Sequence, residues 1–424
     1  MISKDILKEV LVEQQEEIRK LDQNKFLKRD KLDNLKDFIK IKSNIIISGV
    51  RRCGKSVFLS QIMDKYFDKF YYFNFEDERL SSFDVMDFNK AYEVLVEVYG
   101  RSKVFFLDEV QNIEGWERWV RRLYDKDFKF FITGSNASML SKELATRLTG
   151  RHLSFSIYPF SFKEFLRFKN FKLAKDDFHL TERRALMKRI FEEYLELGGF
   201  PEHVTDTRIE ILQEYFNTIL RRDVSERHNI KNVKQLKELA RFLITNVGRL
   251  SSYNQLKRLT HLKSVSTIIK YLSYLEESYL ILPVLFFSYS LKSQIKQPFK
   301  VYCIDHAMRN AISSRFSKDE GWLYENIIAV ELRRRNKELY YWKNQDKEEI
   351  DFVIKKGLKV NQLIQVCSDM DDPYVEKREV KALLKASKEL KCRNLLIITK
   401  EKEGEKVIDK KKIKYMPLWK WLLS

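Results

Sequence analysis

The stretch that decides the fold of the first half of this chain is "NIIISGVRRCGKSVFL", residues 44–59. It carries the pattern G-x-x-x-x-G-K-S from Gly49 to Ser56, between an apolar run at 45–47 and a helical pattern that begins at Val57. A phosphate-binding loop needs this order of strand, glycine loop and helix, because glycines let successive backbone N–H groups turn towards one anion. The stretch therefore predicts a nucleotide site.

The positions of this loop have separate predicted roles. The Lys55 ammonium is expected to reach the β- and γ-phosphates, and the Ser56 hydroxyl is expected to bind Mg²⁺. The residues expected to contact the nucleotide are Gly49, Arg51, Arg52, Cys53, Gly54, Lys55, Ser56 and Val57. ATP and Mg²⁺ are the expected cofactors.

A second motif is "KVFFLDEVQN", residues 103–112, in which an apolar strand ends at Asp108 and Glu109. Asp108 is suited to ordering Mg²⁺ through water, and Glu109 is suited to act as the general base on the attacking water. This acid pair after a phosphate loop is typical of ATPases with an additional strand, rather than of GTPases or kinases. The alternative is two solvated acids at a strand end.

The next strand, "KFFITGSN" at 129–136, ends in polar residues that can position the lytic water. Asn136 is the preferred residue, with Thr133 and Ser135 as alternatives. Further along, Arg147 and Arg151 in "ATRLTGRHL" are candidates for an arginine finger that reaches a neighbouring subunit. A basic turn paired with local acids is an equal alternative for both arginines.

Five strand patterns alternate with helical patterns in this half of the chain. Besides the three above, strands are predicted within 70–78 and at 153–157. Such alternation predicts an α/β fold with a parallel sheet that is covered by helices on both faces.

The segments "GVRRCGKS", "FFLDEVQN", "ITGSN", "LTGR" and "LELGGFPE" together resemble the AAA+-type P-loop ATPases of archaea and bacteria that carry a C-terminal domain of restriction-endonuclease-like fold. The resemblance extends over nearly the whole chain and is weakest in the first 30 residues. Together with the sequence patterns it predicts an N-terminal helical segment at 1–30, an ATPase core at 31–159, a helical lid at 160–230, a winged-helix domain at 231–298 and a restriction-endonuclease-like α/β domain at 299–424.

The predicted winged helix consists of three helical patterns followed by "LPVLFFSYSLK" as a β-wing. A DNA-binding winged helix would present Ser264, Ser266, Thr267 and Lys270 to the major groove. The alternative is a packing or protein-contact module, because the acidic pair at 276–277 would repel phosphate.

The resemblance implies a nuclease metal site that this sequence carries in altered form. Glu325 or Glu331 and Asp351 stand at matching places, but Gln365 and Cys367 replace the glutamate and lysine that such a site needs. A neutral amide is a poor Mg²⁺ ligand, and cysteine carries no fixed positive charge. The domain is therefore expected to be catalytically inactive, unless Lys355, Lys356 or Lys359 has taken over the role of the lysine.

The bulk composition favours an anionic partner, since 80 Lys and Arg against 61 Asp and Glu give a net charge of +19. Nucleic acid is the expected partner, and the composition of an A/T-biased genome is the alternative explanation. The lysine-rich tail includes Lys406, Lys410, Lys411, Lys412 and Lys414. Scattered cysteines, a charged N-terminus and the lack of a long apolar run predict a cytoplasmic protein without a membrane segment.

These observations predict a Mg²⁺-dependent ATPase whose nucleotide state controls a binding surface in the C-terminal half. Two alternatives stay open: an ATP-regulated nuclease, and an ATP-binding scaffold in a protein complex without productive turnover. A homo-oligomer or a protein partner is also open.

Overall fold

A computed structural model describes residues 2–21, 25–137, 152–313, 320–368, 370 and 372–424. Two compact units are present: the first contains residues up to 158 together with 277–279, and the second contains 159–276 and 280–424. The two candidate arginine fingers, Arg147 and Arg151, lie outside the described residues. In the described ranges, no helix is long and apolar enough to cross a membrane.

The described strands of the first unit are β1 Asn44–Ser48, β2 Tyr71–Asn74, β3 Val104–Asp108, β4 Lys129–Gly134 and β5 His152–Ser156. Its described helices are α1 Lys4–Lys20, α2 Lys31–Asn34, α3 Lys36–Ile39, α4 Lys55–Tyr66, α5 Asp87–Tyr99 and α6 Trp116–Tyr124.

These five strands form one sheet in the order β2-β3-β4-β1-β5, and every neighbouring pair is parallel. The predicted parallel α/β sheet is confirmed. Strand β4 lies between β1 and β3, so it is the additional strand that the acid pair indicated. The carboxyl ends of parallel strands meet at one edge of a sheet, and β1, β3 and β4 bring their terminal residues together there.

Aromatic residues fill the core on one face of this sheet, against α1, α5 and α6. Phe88 of α5 stacks on Trp119 of α6 with ring centroids 4.6 Å apart, and Phe105 stacks on Phe130 of the neighbouring strand. Helix α4 packs on the other face, where Phe58 and its neighbours are buried. Both faces of β3 and β4 are therefore buried, which explains their continuous apolar sequences.

Helix α1 covers the open edge of β2 with two glutamine side chains. Gln15 Oε1 accepts a hydrogen bond from the Tyr72 N–H at 2.8 Å, and Gln15 Nε2 donates to the Phe70 carbonyl at 3.2 Å. Gln14 makes the same pair of contacts with the backbone of Asn74. An edge strand would otherwise present unpaired backbone groups. Helix α1, within the predicted N-terminal helical segment, therefore completes the sheet edge of the first unit.

The described helices of the second unit are α7 Phe162–Phe168, α8 Thr181–Leu197, α9 Pro201–Thr205, α10 Ile209–Thr218, α11 Val233–Thr245, α12 Tyr253–Thr260, α13 Val265–Glu277, α14 Leu291–Lys296, α15 His306–Ile312, α16 Glu320–Arg334, α17 Pro373–Glu389 and α18 Leu418–Leu423. Helix α10 continues as a wider π-helical segment, Ile219–Glu226. Its described strands are β6 Ile281–Phe286, β7 Lys300–Cys303, β8 Glu338–Lys343, β9 Glu349–Lys356, β10 Lys359–Val366, β11 Leu395–Thr399, β12 Gly404–Ile408 and β13 Lys411–Pro417.

Eight described strands of this unit form a mixed sheet in the order β12-β13-β11-β10-β9-β8-β6-β7. The strands β8, β9 and β10 are joined antiparallel, and β11 returns parallel to β10 after α17. The predicted β-wing strand β6 pairs with β7 and also with β8, so it belongs to this sheet. A separate winged-helix domain is therefore not confirmed. The bounds of the five predicted segments stay predictions.

Candidate functional site

The glycine loop between β1 and α4 has a backbone that its sequence requires. A side chain at Gly49 would place its Cβ 2.1 Å from the Ile157 carbonyl oxygen, so no other residue fits. Gly54 has a φ of 93°, in the left-handed region, and it directly precedes α4. This loop opens onto the N-terminus of a 12-residue helix, where backbone N–H groups and the helix dipole favour an anion.

Two buried side chains stabilise the loop. Arg29 is buried and donates hydrogen bonds to the carbonyls of Cys53 at 2.8 Å and Tyr158 at 2.5 Å. The Cys53 thiol is buried as well and lies 3.3 Å from the Ile157 carbonyl. Burial raises the pKa of this thiol, so it packs as a small neutral group. The sequence patterns did not indicate this contact of Arg29 with the loop.

The Lys55 ammonium forms an ion pair with Glu109 at 3.1 Å and approaches the Val50 carbonyl at 3.4 Å. Both partners are almost wholly buried. Burial acts to lower the pKa of Lys55, but Glu109, Cys53 and Asp108 together outweigh it and raise the pKa above its ordinary value. Burial acts to raise the pKa of Glu109, but Lys55, Gln111 and Arg51 together outweigh it and lower that pKa. Both groups are therefore charged at neutral pH.

Asp108 lies at the end of β3 and is held by three hydroxyl groups. Thr133 Oγ1 donates to its Oδ1, Tyr72 Oη donates to its Oδ2 at 3.1 Å, and the Ser56 hydroxyl is also hydrogen-bonded to it. Burial, followed by the nearby Glu109 charge, raises the pKa of Asp108. A hydroxyl and a carboxylate side by side are the donor set that Mg²⁺ takes beside a nucleotide, so Ser56 and Asp108 fit that ion.

Glu109 has two further contacts that fix its carboxylate. Gln111 Nε2 donates to Glu109 Oε2, and the Ser135 N–H donates to the same oxygen at 3.3 Å. The Glu109 N–H donates to Thr133 Oγ1 at 3.0 Å. Gln111 was missed from the sequence, although its place two residues after the acid pair is a usable signal. Thr133 contacts both acids.

The remaining predicted loop residues are placed as follows. Arg51 pairs with Glu76 at 2.7 Å, and Arg52 is exposed with a φ of 67°. Asn136 is buried two residues after β4 ends. The roles of Asn136 and of the loop residues stay predictions.

The second predicted site, in the second unit, forms a charge cluster of a different kind from the one expected. Glu325 and Asp351 do come together, but around Lys300, which the sequence patterns did not indicate. Glu331 is engaged elsewhere, with Arg334 and Arg335 at 2.9 and 2.8 Å.

The other residues of that predicted site have structural contacts. Gln365 Nε2 donates to Glu379 at 2.6 Å, and Cys367 is packed in the core. Lys355 pairs with Glu338 at 3.3 Å, while Lys356 and Lys359 are exposed. None of these three lysines is recorded in contact with Asp351 in the described part of the chain.

On the predicted recognition helix α13, the polar residues at the start bond to one another. Ser264 Oγ accepts a hydrogen bond from the Thr267 N–H at 3.1 Å and contacts the hydroxyls of Ser266 and Thr267. This is the geometry of a helix N-cap, which stabilises the helix by itself.

Comparison with known proteins places the nucleotide loop and the acid pair in one domain. A family model described as an AAA domain matches residues 42–166, and two models of domains of unknown function match 188–319 and 320–421. "Uncharacterized protein MJ1544" of Methanocaldococcus jannaschii is 40% identical, over 100% of this chain and 97% of its own. An "Uncharacterized protein" of Haemophilus influenzae is 33% identical, over 76% of this chain and 80% of its own.

Among solved structures, the ORC1 protein of Aeropyrum pernix in complex with DNA aligns with 67% of this chain and 91% of its own, at 16% identity and a TM-score of 0.31. A TM-score this low carries no information about function. The full-length similarity above does assign the chain: it belongs to the same family as these archaeal and bacterial proteins, with an AAA domain at residues 42–166.

Proposed function

We propose that this chain is a Mg²⁺-dependent ATPase whose nucleotide state controls a nucleic-acid-binding surface in its second unit. The ATPase assignment rests on five side chains that come together at the carboxyl ends of β1, β3 and β4. These are Lys55, Ser56, Asp108, Glu109 and Thr133. Lys55 supplies a cation that can bind phosphate, and Ser56 and Asp108 supply two oxygens for a metal. Glu109 supplies a carboxylate base, and the Thr133 hydroxyl orients both acids.

Each of these groups has a defined part in hydrolysis. Ser56 and Asp108 would hold Mg²⁺, which neutralises charge that develops on the phosphates. Glu109 stays ionised beside Lys55 and can accept a proton from the attacking water. Thr133 bonds to Asp108 and to the Glu109 backbone, so we assign the positioning role to Thr133 ahead of Asn136.

The Lys55–Glu109 ion pair describes the chain before nucleotide binds. Phosphate oxygens offer Lys55 stronger charge-assisted contacts than one carboxylate does. When ATP binds, Lys55 exchanges Glu109 for the phosphates, and Glu109 becomes available for the water. The pair thus keeps two buried charges compensated until the substrate arrives.

The binding half of this proposal is tested with a fluorescently labelled ATP and Mg²⁺. Lys55→Ala is expected to weaken binding by at least about 10- to 100-fold, because it removes charge-assisted hydrogen bonds to phosphate. The matched control is Lys65→Ala, on the same helix but partly exposed and paired with Asp33. Equal affinities of the two variants would contradict the assignment of the loop.

The surface that we propose for nucleic acid is a groove of about 580 Å³ between α17 and the β12–β13 hairpin. The apolar residues Val380, Leu384 and Ile408 form part of its lining. Its basic residues are Lys377, Lys381, Lys385 and Lys406. The three lysines on α17 are four residues apart, so they project along one face with a rise of about 6 Å per step.

Several of these lysines have acidic partners that they can exchange. Lys381 pairs with Glu348 at 3.2 Å, and Lys385 pairs with Glu348 at 2.7 Å. The side chains of Lys381 and Lys385 are 66% and 41% exposed, so water screens their ion pairs with Glu348. Binding to the phosphate backbone of a nucleic acid releases counterions, which favours the complex. The phosphates can therefore compete with Glu348 for these lysines.

Binding of a labelled single-stranded DNA, measured at several salt concentrations, tests this surface. Changing Lys377, Lys381 and Lys385 to Gln is expected to reduce the slope of log K against log salt by about 2, since each lost phosphate contact removes about 0.7. The control changes Lys231, Lys234 and Lys237 to Gln, around the start of α11 in the same unit. Loss of the same size in both triple variants would assign binding to net charge instead of the groove.

The predicted recognition helix is the competing surface, and the same assay distinguishes it. A Lys263→Gln, Lys270→Gln variant should bind as the wild type does. If this variant loses binding and the α17 variant does not, helix α13 is the contact surface and the groove is not.

A further inference from the structure

Lys300, the first residue of β7, is surrounded by three carboxylates from two other elements. Its side chain is only 2% exposed. Its ammonium lies 2.8 Å from Glu349 Oε1 and 3.0 Å from Asp351 Oδ1, both on β9, and 3.4 Å from Glu325 Oε2 on α16. A buried ammonium with acids on several sides is rare, because charges are costly to remove from water unless they are compensated.

The three carboxylates are held in place by further contacts. Tyr302 Oη donates to Glu325 at 2.8 Å, the Val366 N–H donates to Asp351 Oδ2 at 3.0 Å, and Lys343 pairs with Glu349 at 3.0 Å. Fixed carboxylates that point at one buried centre form a site for a cation. In this chain Lys300 fills that centre.

The carboxylates around the centre carry more negative charge than one lysine can neutralise. Three acids face Lys300, and the other lysine, Lys343, is 32% exposed and therefore screened by water. One buried ammonium therefore faces three carboxylates, and the centre carries more acidic than basic groups.

A divalent metal does not fit the centre while Lys300 is present. Mg²⁺ needs oxygen ligands at about 2.0–2.1 Å around it, and the ammonium takes that space. Gln365, at the position where the resemblance implies a metal ligand, bonds instead to the Asp351 N–H at 3.3 Å and to Glu379. In the part of the chain that the structure describes, no group of three His, Cys, Asp or Glu is placed to hold a metal ion.

We propose that Lys300 is an internal replacement for a divalent cation. Its ammonium joins Glu325, Glu349 and Asp351 and thereby fixes β7 and α16 to β9. The centre is a structural charge cluster in this chain, and it becomes a divalent-cation site when the lysine charge is removed.

The test compares the full-length wild type with Lys300→Met, which keeps the length of the side chain and removes its charge. Thermal unfolding is followed without nucleotide, with and without Mn²⁺. We expect Lys300→Met to unfold at a lower temperature than the wild type. Its Tm should then rise by about 5 °C when Mn²⁺ is present at about a hundred times its Kd, and the wild-type Tm should not respond.

Two further variants separate this effect from general loss of stability. Lys300→Met combined with Asp351→Asn should lose the response to Mn²⁺, because a ligand is gone. Lys343→Met, at the rim of the same cluster, should show no response. A folded Lys300→Met variant that binds no Mn²⁺ overturns the proposal.

A second test does not depend on the folding of Lys300→Met. Electron paramagnetic resonance counts Mn²⁺ bound to the wild type and to Asp351→Asn in the absence of nucleotide. The proposal requires that the wild type and Asp351→Asn bind the same number of Mn²⁺ ions. Stoichiometric Mn²⁺ binding that Asp351→Asn abolishes would show that Lys300 leaves the centre open to metal and would overturn the proposal.

Discussion

Glu109 has a backbone φ of 52°, a left-handed conformation that residues other than glycine adopt at a cost. The conformation is held because the Glu109 N–H bonds to Thr133 Oγ1 and its carbonyl accepts from the Asn112 N–H at 3.2 Å. This turn directs the carboxylate at Lys55 while Asp108 keeps its own hydroxyl partners. The left-handed conformation of Glu109 therefore lets the two adjacent acids face different partners.

The contact between Gln111 and Glu109 predicts a positioning role for the amide. Gln111→Leu removes one of the two donors to Glu109 Oε2 and does not alter Lys55 or the loop sequence. We expect kcat to fall by about 10-fold or more, since a small misplacement of a base is costly, while ATP binding stays near the wild-type value. Steady-state phosphate release and labelled-ATP binding measure the two effects. An unchanged kcat would remove Gln111 from the mechanism.

The raised pKa of Glu325 predicts a pH dependence of stability. The ordinary pKa is 4.5, and burial raises the folded-state value, so the folded chain binds this proton more tightly than the unfolded chain does. Stability from this group is complete below pH 4.5 and is lost as pH rises through the raised pKa. After burial, the Asp351 charge also raises the pKa of this carboxyl, whereas Lys300 and the hydrogen bond from Tyr302 lower it.

This dependence is measured by urea unfolding between about pH 5 and about pH 9. Glu325→Gln mimics the protonated acid, so we expect it to lose less stability over this range than the wild type, by about 1.4 kcal/mol for each unit of pKa shift. Parallel curves for the two chains would contradict the shift.

At the scale of elements, the glutamines of α1 predict a stability effect at the edge of β2. Gln15→Leu leaves the Tyr72 N–H and the Phe70 carbonyl without their side-chain partners in a buried place. We expect a loss of about 2–4 kcal/mol in the free energy of unfolding, as two buried polar groups become unsatisfied. Urea unfolding measures the loss, and Glu17→Gln, exposed on the same helix, is the control. A loss equal to that of the control would show that α1 does not complete the sheet.

Much of the first unit could be predicted from sequence because its signals are local. The run from β1 through Ser56 to α4 is continuous in the chain, and so is the strand that ends in Asp108 and Glu109. The strand order follows from the class of ATPase that this acid pair indicates. Gln111 and Arg29 were missed because their function depends on side-chain directions that no repeat in the sequence encodes.

The second unit was harder to predict because its contacts are not local. Lys300 meets acids 25 to 51 residues away, and the pairing of β6 with both β7 and β8 helps to bring them together. The sequence "LPVLFFSYSLK" was interpreted as a β-wing, since the pattern of one strand cannot show which sheet it joins.

At the scale of the whole molecule, the account predicts that nucleotide changes the affinity for nucleic acid. Labelled DNA is titrated against Glu109→Gln with ATP, with ADP and without nucleotide. We expect the affinities to differ by at least about 5-fold, the lower end of ordinary coupling between two sites. The Lys377, Lys381, Lys385 variant should lose binding in all three states. Equal affinities of Glu109→Gln for DNA in the three states would show that nucleotide does not control binding at the groove.

The most direct test of the central claim is phosphate release from ATP by the full-length chain, compared with Glu109→Gln under conditions where both are saturated with ATP and Mg²⁺. The account predicts that the wild type turns over and that the variant binds ATP with similar affinity but releases phosphate at least about 100-fold more slowly, because its general base is gone. Equal rates of the two chains, or no turnover by the wild type with or without DNA, would contradict the ATPase and leave a chain that binds ATP without using it.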